Sequence, residues 1–158
     1  MSIEENKAIV RRYFEDAPFN PATCDEIFAP NIRWHALYRT ANHDFNSTHQ
    51  IEKEAYARHK KIWGDWIEKI DLMIAEDDKV MVHWIGHGIQ QGEYFGIPAT
   101  HRPISFSGIY IFRLEGGRIV EVWNLWDQVG EWQQLGILPE TKEFIAKARE
   151  TILAERNG

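Results

Sequence analysis

Cysteine is nearly absent from this chain of 158 residues: Cys24 stands alone. It cannot form an internal disulfide, and a reducing cytoplasm is the expected compartment. No apolar run reaches membrane-spanning length and no basic-then-apolar leader opens the sequence, so neither a bilayer nor an export route is expected. Positive charge is also short. Eighteen Lys and Arg against 24 Asp and Glu leave a net charge of −6, which argues against nucleic acid as a partner. There is no P-loop, no GxGxxG, no zinc spacing and no Ser-His-Asp order that can be singled out, so neither cofactor nor metal is expected. His83 and His87 are four apart on a predicted strand, roughly 13 Å, too far to share one ion. His43, His49, His59 and His101 fall in loop or polar helix surroundings and are expected to be solvated. No repeat, low-complexity run or linker interrupts residues 1–158, which read as one globular domain.

Aromatic residues, by contrast, are abundant at 13%, with seven Trp. Aromatics line cavities as well as cores, so this points to a pocket. The organising stretch is Pro103 to Gly136. Ile104 to Leu114 is β-branched, aromatic or small, as suits a strand, and Glu115-Gly116-Gly117-Arg118 is a turn. Ile119 to Trp126 is the return strand, and Asp127 suits the N-cap of a helix ending at Gly136. Alternation puts Ile104, Phe106, Gly108, Tyr110 and Phe112 on one face of the first strand. On the second, Val120, Val122, Asn124 and Trp126 share one face, with Ile119, Glu121, Trp123 and Leu125 on the other. Apolar residues on both faces predict cover on both, helices inside and a second copy outside. The expected partner surface is therefore a homodimer through Ile109, Ile111, Trp123 and Leu125.

Ser2 and Glu5 form a capping box before a helix with Ile9, Val10, Tyr13 and Phe14 on its apolar stripe. Asn20-Pro21 opens a short helix that runs through Ile27 and Phe28 and ends at Pro30. Asn31 to Tyr38 is a strand with Ile32 and Trp34 on one side and Arg33 and His35 on the other. Residues 39–48 read as loop. A helix begins near Ser47 or Thr48 with Ile51, Ala55, Ile62, Trp63 and Trp66 on its apolar side. Ile67 to Ala75 and Lys79 to Gln91 are strands around a Glu76-Asp77-Asp78 turn, the second with Val80, Val82 and Trp84 on one face. Gly92 to Arg102 is a loop, in which Gly96-Ile97-Pro98 is a turn. A C-terminal helix from about Pro139 presents Phe144, Ile145, Ala148 and Ile152 for docking onto the body. Segregated helices and strands indicate an α+β fold.

The opening NKAIVRRYF, the FAPNI segment, the GIPATHRPISFSGIYIFRLEGGRIVEVW run and the WDQVGEWQQLG ending resemble the SnoaL-like polyketide cyclase family, of the nuclear-transport-factor-2-like superfamily, over residues 5 to 138. The resemblance implies a cone-shaped, curved antiparallel or mixed sheet wrapped around a long helix, with an apolar pocket inside. It also implies a cofactor-free intramolecular aldol reaction, in which a carboxylate takes a proton between two carbonyls and the enolate closes a ring. The family's aspartate base corresponds to Asn124 here and its histidine partner to Tyr110. Both can donate a hydrogen bond to an oxygen, but Asn124 is no base. Asp127 and His35 are the candidate replacements. Trp34, Trp84, Phe106, Phe112 and Trp126 are expected to contact the substrate. The function expected from the resemblance is a cyclase or isomerase acting on a hydrophobic oxygenated small molecule. A dehydratase or hydrolase in the same cone, and a non-catalytic small-molecule-binding homodimer, are the alternatives.

Overall fold

The computed structural model describes residues 1–37 and 43–156. The expected strand end at Tyr38 and the loop residues 39–42 lie outside the described residues. Among the latter are five helices, α1 (Ile3–Glu15), α2 (Thr23–Ile27), α3 (His49–Trp63), α4 (Gln128–Leu135) and α5 (Thr141–Arg156). The six strands are β1 (Phe28–Ala36), β2 (His43–Ser47), β3 (Ile67–Glu76), β4 (Lys79–Ile89), β5 (Pro103–Glu115) and β6 (Arg118–Trp126). They form one sheet in the order β2-β1-β6-β5-β4-β3, with β1 and β6 parallel and every other pair antiparallel. The fold is α+β with a curved mixed sheet, as expected.

The β5–β6 hairpin turns where two glycines allow it: Gly116 and Gly117 take φ of 55° and 79°. Asp127 caps α4 and Gly136 ends it in the left-handed conformation. At the N-terminus, Ser2 Oγ accepts the Glu5 N–H while the Glu5 carboxylate accepts the Ser2 N–H, completing the capping box. The inner face of the sheet carries the core. Val80, Val82, Phe112 and Val122 are fully buried there, under Val10, Tyr13 and Phe14 of α1.

Five local expectations are corrected. The short helix begins at Thr23 with Ala22 as its cap, while Asn20 instead accepts the Ala22 N–H in a local turn. Residues 43–47 form a strand, because four polar residues around Phe45, which stacks on Trp34, suffice at a sheet edge where one side faces water. β1 starts at Phe28, ahead of Pro30, because pairing with β6 is irregular between Phe28 and Arg33 and β2 pairs only from Ile32, so the missing proline N–H breaks no ladder bond. An irregularity between Arg113 and Leu114 shifts the alternation on β6, so Ile119 is fully buried rather than facing outward. Finally, α5 has no buried residue: Phe144, Ile145 and Ile152 stay exposed and do not dock onto the body.

Two glycines on the inner face of β4 shape the cone. A Cβ on Gly86 would lie 2.0 Å from Trp66 Cζ2, and one on Gly88 would lie 2.6 Å from Trp66 Cε3. The Trp66 indole therefore lies flat on the strand, where any larger residue would displace it. Gly86→Ala is expected to lower stability by about 1–3 kcal/mol through overpacking. At roughly 2–4 °C per kcal/mol for a chain of this size, thermal denaturation will read this directly. An unchanged melting temperature would show that the indole is not held there.

Candidate active site

The polar groups of the cone sit where strand alternation and helix periodicity aim them inward. From the sheet come Trp34 of β1, Glu68 of β3, Trp84 of β4, Phe106 and Tyr110 of β5, and Asn124 and Trp126 of β6. Tyr110 and Asn124 are paired directly across the hairpin, and Val82 lies opposite Tyr110 on its other side. Opposed residues of an antiparallel pair share a face, so Tyr110, Asn124 and Trp84 line one interior. Facing them are Tyr13 of α1 and Glu52, Tyr56 and His59 of α3.

Aromatic contacts tie the cluster together. Trp84 stacks on Tyr110 with centroids 5.8 Å apart, and Trp34 meets the Tyr110 ring edge-on at 6.2 Å. Tyr13 packs against Tyr110 at 5.5 Å and Tyr56 at 6.0 Å. The hydroxyls of Tyr13 and Tyr110 are hydrogen-bonded, and the Tyr56 hydroxyl donates to the Tyr13 carbonyl at 3.3 Å. Burial, together with nearby carboxylates, holds all three phenols well above their ordinary pKa, so they are neutral donors at every physiological pH.

Three carboxyls stand with them, Glu52 and Glu131 buried and Glu68 half-buried, and each takes an indole N–H. Trp34 Nε1 donates to Glu52 at 2.8 Å, Trp66 Nε1 to Glu68 at 3.1 Å, and Trp126 Nε1 to Glu131 of α4 at 3.0 Å. Burial raises the pKa of each, the indole bond opposing it. For Glu68 the result is about 7. Such a carboxyl is split between acid and base near neutrality, the condition for exchanging protons with a substrate. Among the described residues no Lys or Arg is buried. Negative charge formed in the cone therefore has only neutral donors to stabilise it.

His59 corrects another expectation. It is not solvated but packs on Trp63 and Trp66, at 6.3 and 5.8 Å, and burial lowers its pKa to about 4. It is a neutral imidazole at pH 7. His49 also has a partner, its Nε2 donating to the Phe28 carbonyl at 3.0 Å. Burial raises the Cys24 thiol to about 11, which keeps it unreactive.

The two candidate replacement bases are not in the cone. His35 lies on the outer face of β1, its Nδ1 2.9 Å from Asp44 and its Nε2 2.8 Å from Glu121, with the ring stacked on Trp123 at 4.8 Å. Alternation sends it away from its neighbour Trp34. Asp127 is exposed, and its Oδ1 accepts the Gly130 N–H at 2.8 Å as the cap of α4. Among the aromatics expected to contact a ligand, Trp34, Trp84, Phe106 and Trp126 face inward. Phe112 is fully buried between Tyr13, Phe14 and Tyr110 and belongs to the core. His83 is on the outer face against Asp71 at 2.9 Å. Among the described residues, no three His, Cys, Asp or Glu side chains gather as a metal site would require. A surface hollow of about 270 Å³ between Met1, Asn6, Asp77 and the Glu115–Gly117 turn lies at the other end of the strands from Glu68 and shares no residue with the cluster.

Glu52, Tyr56, His59 and Glu68 were missed by the sequence reading, yet each leaves a trace. Glu52, Tyr56, His59 and Trp63 recur at spacings of 4, 3 and 4, one face of a helix. A search for an aliphatic stripe selects Ile51, Ala55 and Ile62 instead, of which Ile51 is exposed. Glu68 shares its side of β3 with Ile70, a carboxylate where an apolar residue is the rule.

The sequence matches the family model for the SnoaL-like polyketide cyclase over residues 8–135. Among curated proteins, none matches it. Solved structures with the same fold include a proposed SnoaL-like polyketide cyclase from Jannaschia sp. CCS1, with TM-score 0.75 and 18% identity over 88% of this chain and 97% of that one. AclR, a proposed hydroxylase from Streptomyces galilaeus, aligns with TM-score 0.73 and 19% identity over 99% and 96% of the two chains. IdmH, a proposed polyketide cyclase from Streptomyces antibioticus, aligns with TM-score 0.70 and 21% identity over 83% and 98%. At such identities these likenesses establish the fold alone.

If Asp127 acts only as a helix cap, Asp127→Ala should cost about 1 kcal/mol of stability and leave ligand binding in the cone unchanged. Chemical denaturation combined with a binding titration checks this. Loss of binding at unchanged stability would return Asp127 to the site.

Proposed function

The chain belongs to the SnoaL-like polyketide cyclase family, and on that premise we propose that it is a cofactor-free acid–base enzyme that enolises a carbonyl of a hydrophobic, polyketide-like small molecule. One observation supports this above the others: Glu68, a carboxyl among indoles and phenols with its pKa pushed up to about 7. Asn124 stands where the family's aspartate is expected and cannot take a proton, so the base has moved across the cone to β3. The Glu68 carboxylate takes the proton from carbon between two carbonyls, and the electron pair moves onto one carbonyl oxygen. That oxygen is hydrogen-bonded by Tyr110 and Asn124. The carbon then attacks a second carbonyl, forming the ring bond, and Glu68 returns its proton to the new alkoxide. Stopping at the enol and reprotonating another carbon gives isomerisation with the same residues.

Glu68→Gln should lower turnover of an activated polyketide ester by about 10²–10⁴-fold. Wild-type activity should rise with pH through about 7, because the base must be ionised. Stability runs the other way. A carboxyl raised from 4.5 to about 7 favours the fold in its protonated form, so ionisation costs stability as pH climbs between those values, up to about 3 kcal/mol. The Gln variant should therefore melt higher than wild type at pH 8 and equally at pH 4. Asn124→Asp, which restores a carboxylate at the family position, should rescue part of the lost turnover. A wild type inert on such esters, together with an inert Asn124→Asp, would leave a non-catalytic binding protein.

Assembly belongs to the same proposal. Ile109 and Leu125 are exposed on the outer face, beside half-buried Ile111 and Trp123, and a second copy is the proposed cover. Light scattering at micromolar concentration should give a dimer, and Trp123→Glu a monomer, since it would bury an unpaired charge. A monomeric wild type overturns the dimer without touching the chemistry.

A further inference from the structure

Among the described residues, the buried side-chain polar atoms without a hydrogen-bond partner include Trp132 Nε1, Trp84 Nε1 and Asn124 Oδ1. The last two belong to one place. Trp84 stands on β4 opposite Gly108 of β5, and Asn124 stands on β6 opposite Tyr110, two residues along the same strand. Both point into the cone, on either side of β5. A buried donor or acceptor left unpaired costs about 1–3 kcal/mol, and a polar group kept in that state at a candidate active site calls for a third party.

Gly108 shows where the indole is aimed. A Cβ at that position would lie 2.5 Å from Trp84 Cζ2 and 2.7 Å from Cε2. Cε2 is bonded to Nε1, so the N–H edge of the ring lies across β5, on the way to β6. Strands one apart are separated by about 10 Å, and the indole spans much of that gap only because residue 108 has no side chain. The other indoles of the cone end on carboxylates: Trp34 on Glu52, Trp66 on Glu68 and Trp126 on Glu131. Trp84 is 2% exposed and ends on nothing.

An indole nitrogen can only donate, and an amide oxygen can only accept. A single oxygen that accepts from one and donates its own hydrogen to the other satisfies both. A hydroxyl on a planar unsaturated frame does this, and such a frame matches the aromatic walls of Trp84, Tyr110 and Phe106. We infer that Trp84 is a further catalytic residue, its N–H donating to the oxygen of an enolic or phenolic hydroxyl whose hydrogen is accepted by Asn124 Oδ1, with Gly108 the positioning residue that lets the indole reach. This deepens the proposed function: Glu68 takes the carbon-bound proton to leave an enolate, to which Asn124 donates from Nδ2. On the isomerisation branch Glu68 gives that same proton back to the enolate oxygen, producing the enol hydroxyl whose hydrogen the Asn124 amide, turned over, accepts at Oδ1. Its binding half stands without turnover.

The probes are 2-naphthol and 2-methylnaphthalene, equal in shape and differing in the hydroxyl, titrated by calorimetry against the full chain. Wild type should prefer 2-naphthol by about fivefold or more, the worth of a net buried hydrogen bond. Trp84→Phe and Asn124→Leu should each remove most of that preference, read as the ratio of the two affinities, with an unchanged far-UV circular dichroism spectrum reporting an intact fold. Gly108→Ala, which keeps the indole but pushes it aside, should weaken the preference in the same sense. A preference that survives Trp84→Phe overturns the inference, and so does a wild type that binds neither probe or both equally. Glu68→Gln separates the two readings. If it leaves turnover unchanged while the hydroxyl preference still depends on Trp84, the base assignment fails and the hydroxyl site stands.

Discussion

The Trp66 indole bonded to Glu68 is the contact on which the packing and the proposed chemistry both depend. The ring follows the end of α3, lies on Gly86 and Gly88, and gives its N–H to a carboxyl on the neighbouring strand. Without that donor Glu68 would be an enclosed acid with no partner, and burial would push its pKa still further up. Without the glycines the ring could not lie flat, and α3 could not close over the β3–β4 corner. Phe106 packs on the same ring at 4.8 Å, so the central hairpin is fixed by it as well. The position of the acid is thus set by the fit of an aromatic ring against a bare stretch of strand.

The hairpin from Ile104 to Trp126 was legible apart from Ile119, which the irregularity at Arg113–Leu114 turns inward, because glycines mark its turn and long strands leave little freedom in register. The pairing of Tyr110 with Asn124 followed from that alone. Both capping motifs were legible too, since a Ser or Asp at the right offset acts within one turn. What was not legible falls into two kinds. β2 and the start of β1 depend on partners far along the chain: HDFNS has no strand signal of its own and pairs because β1 offers an edge. The inner face of α3 was hidden for a different reason. A helix that lines a functional interior buries Glu52, Tyr56 and His59, so a search keyed to aliphatic periodicity looks at the wrong side. His35 and Asp127 attracted notice as ionisable residues near a family position, but ionisability carries no direction. Alternation on β1 and the capping geometry of α4 decide that both lie outside.

Charge is segregated across the sheet. The outer face holds His35 between Asp44 and Glu121, and Arg113 bonded to Glu121 at 2.8 Å. Those ions are near water, where they cost little and contribute little. The inner face holds carboxyls without a buried cation, three phenols and a neutral imidazole. An interior built this way disfavours anions before reaction, since a bound carboxylate or phosphate would meet Glu52 and Glu68 with no counter-charge. It accepts a neutral molecule readily.

In the proposed reaction, negative charge appears on the substrate only as Glu68 gives up its own by taking a proton, so the net charge of the cone does not change during the step. This matters in a low-dielectric space, where creating a new charge is expensive but relocating one is not. Moving the charge from the Glu68 oxygen to a substrate oxygen requires only that donors wait at the second site as they do at the first. The Trp66 indole is the donor at the first. At the other end stand Tyr110, Asn124 and the Trp84 N–H, which has no partner in the protein. In that proposal, an indole at each end of the transfer holds the charge before and after the step.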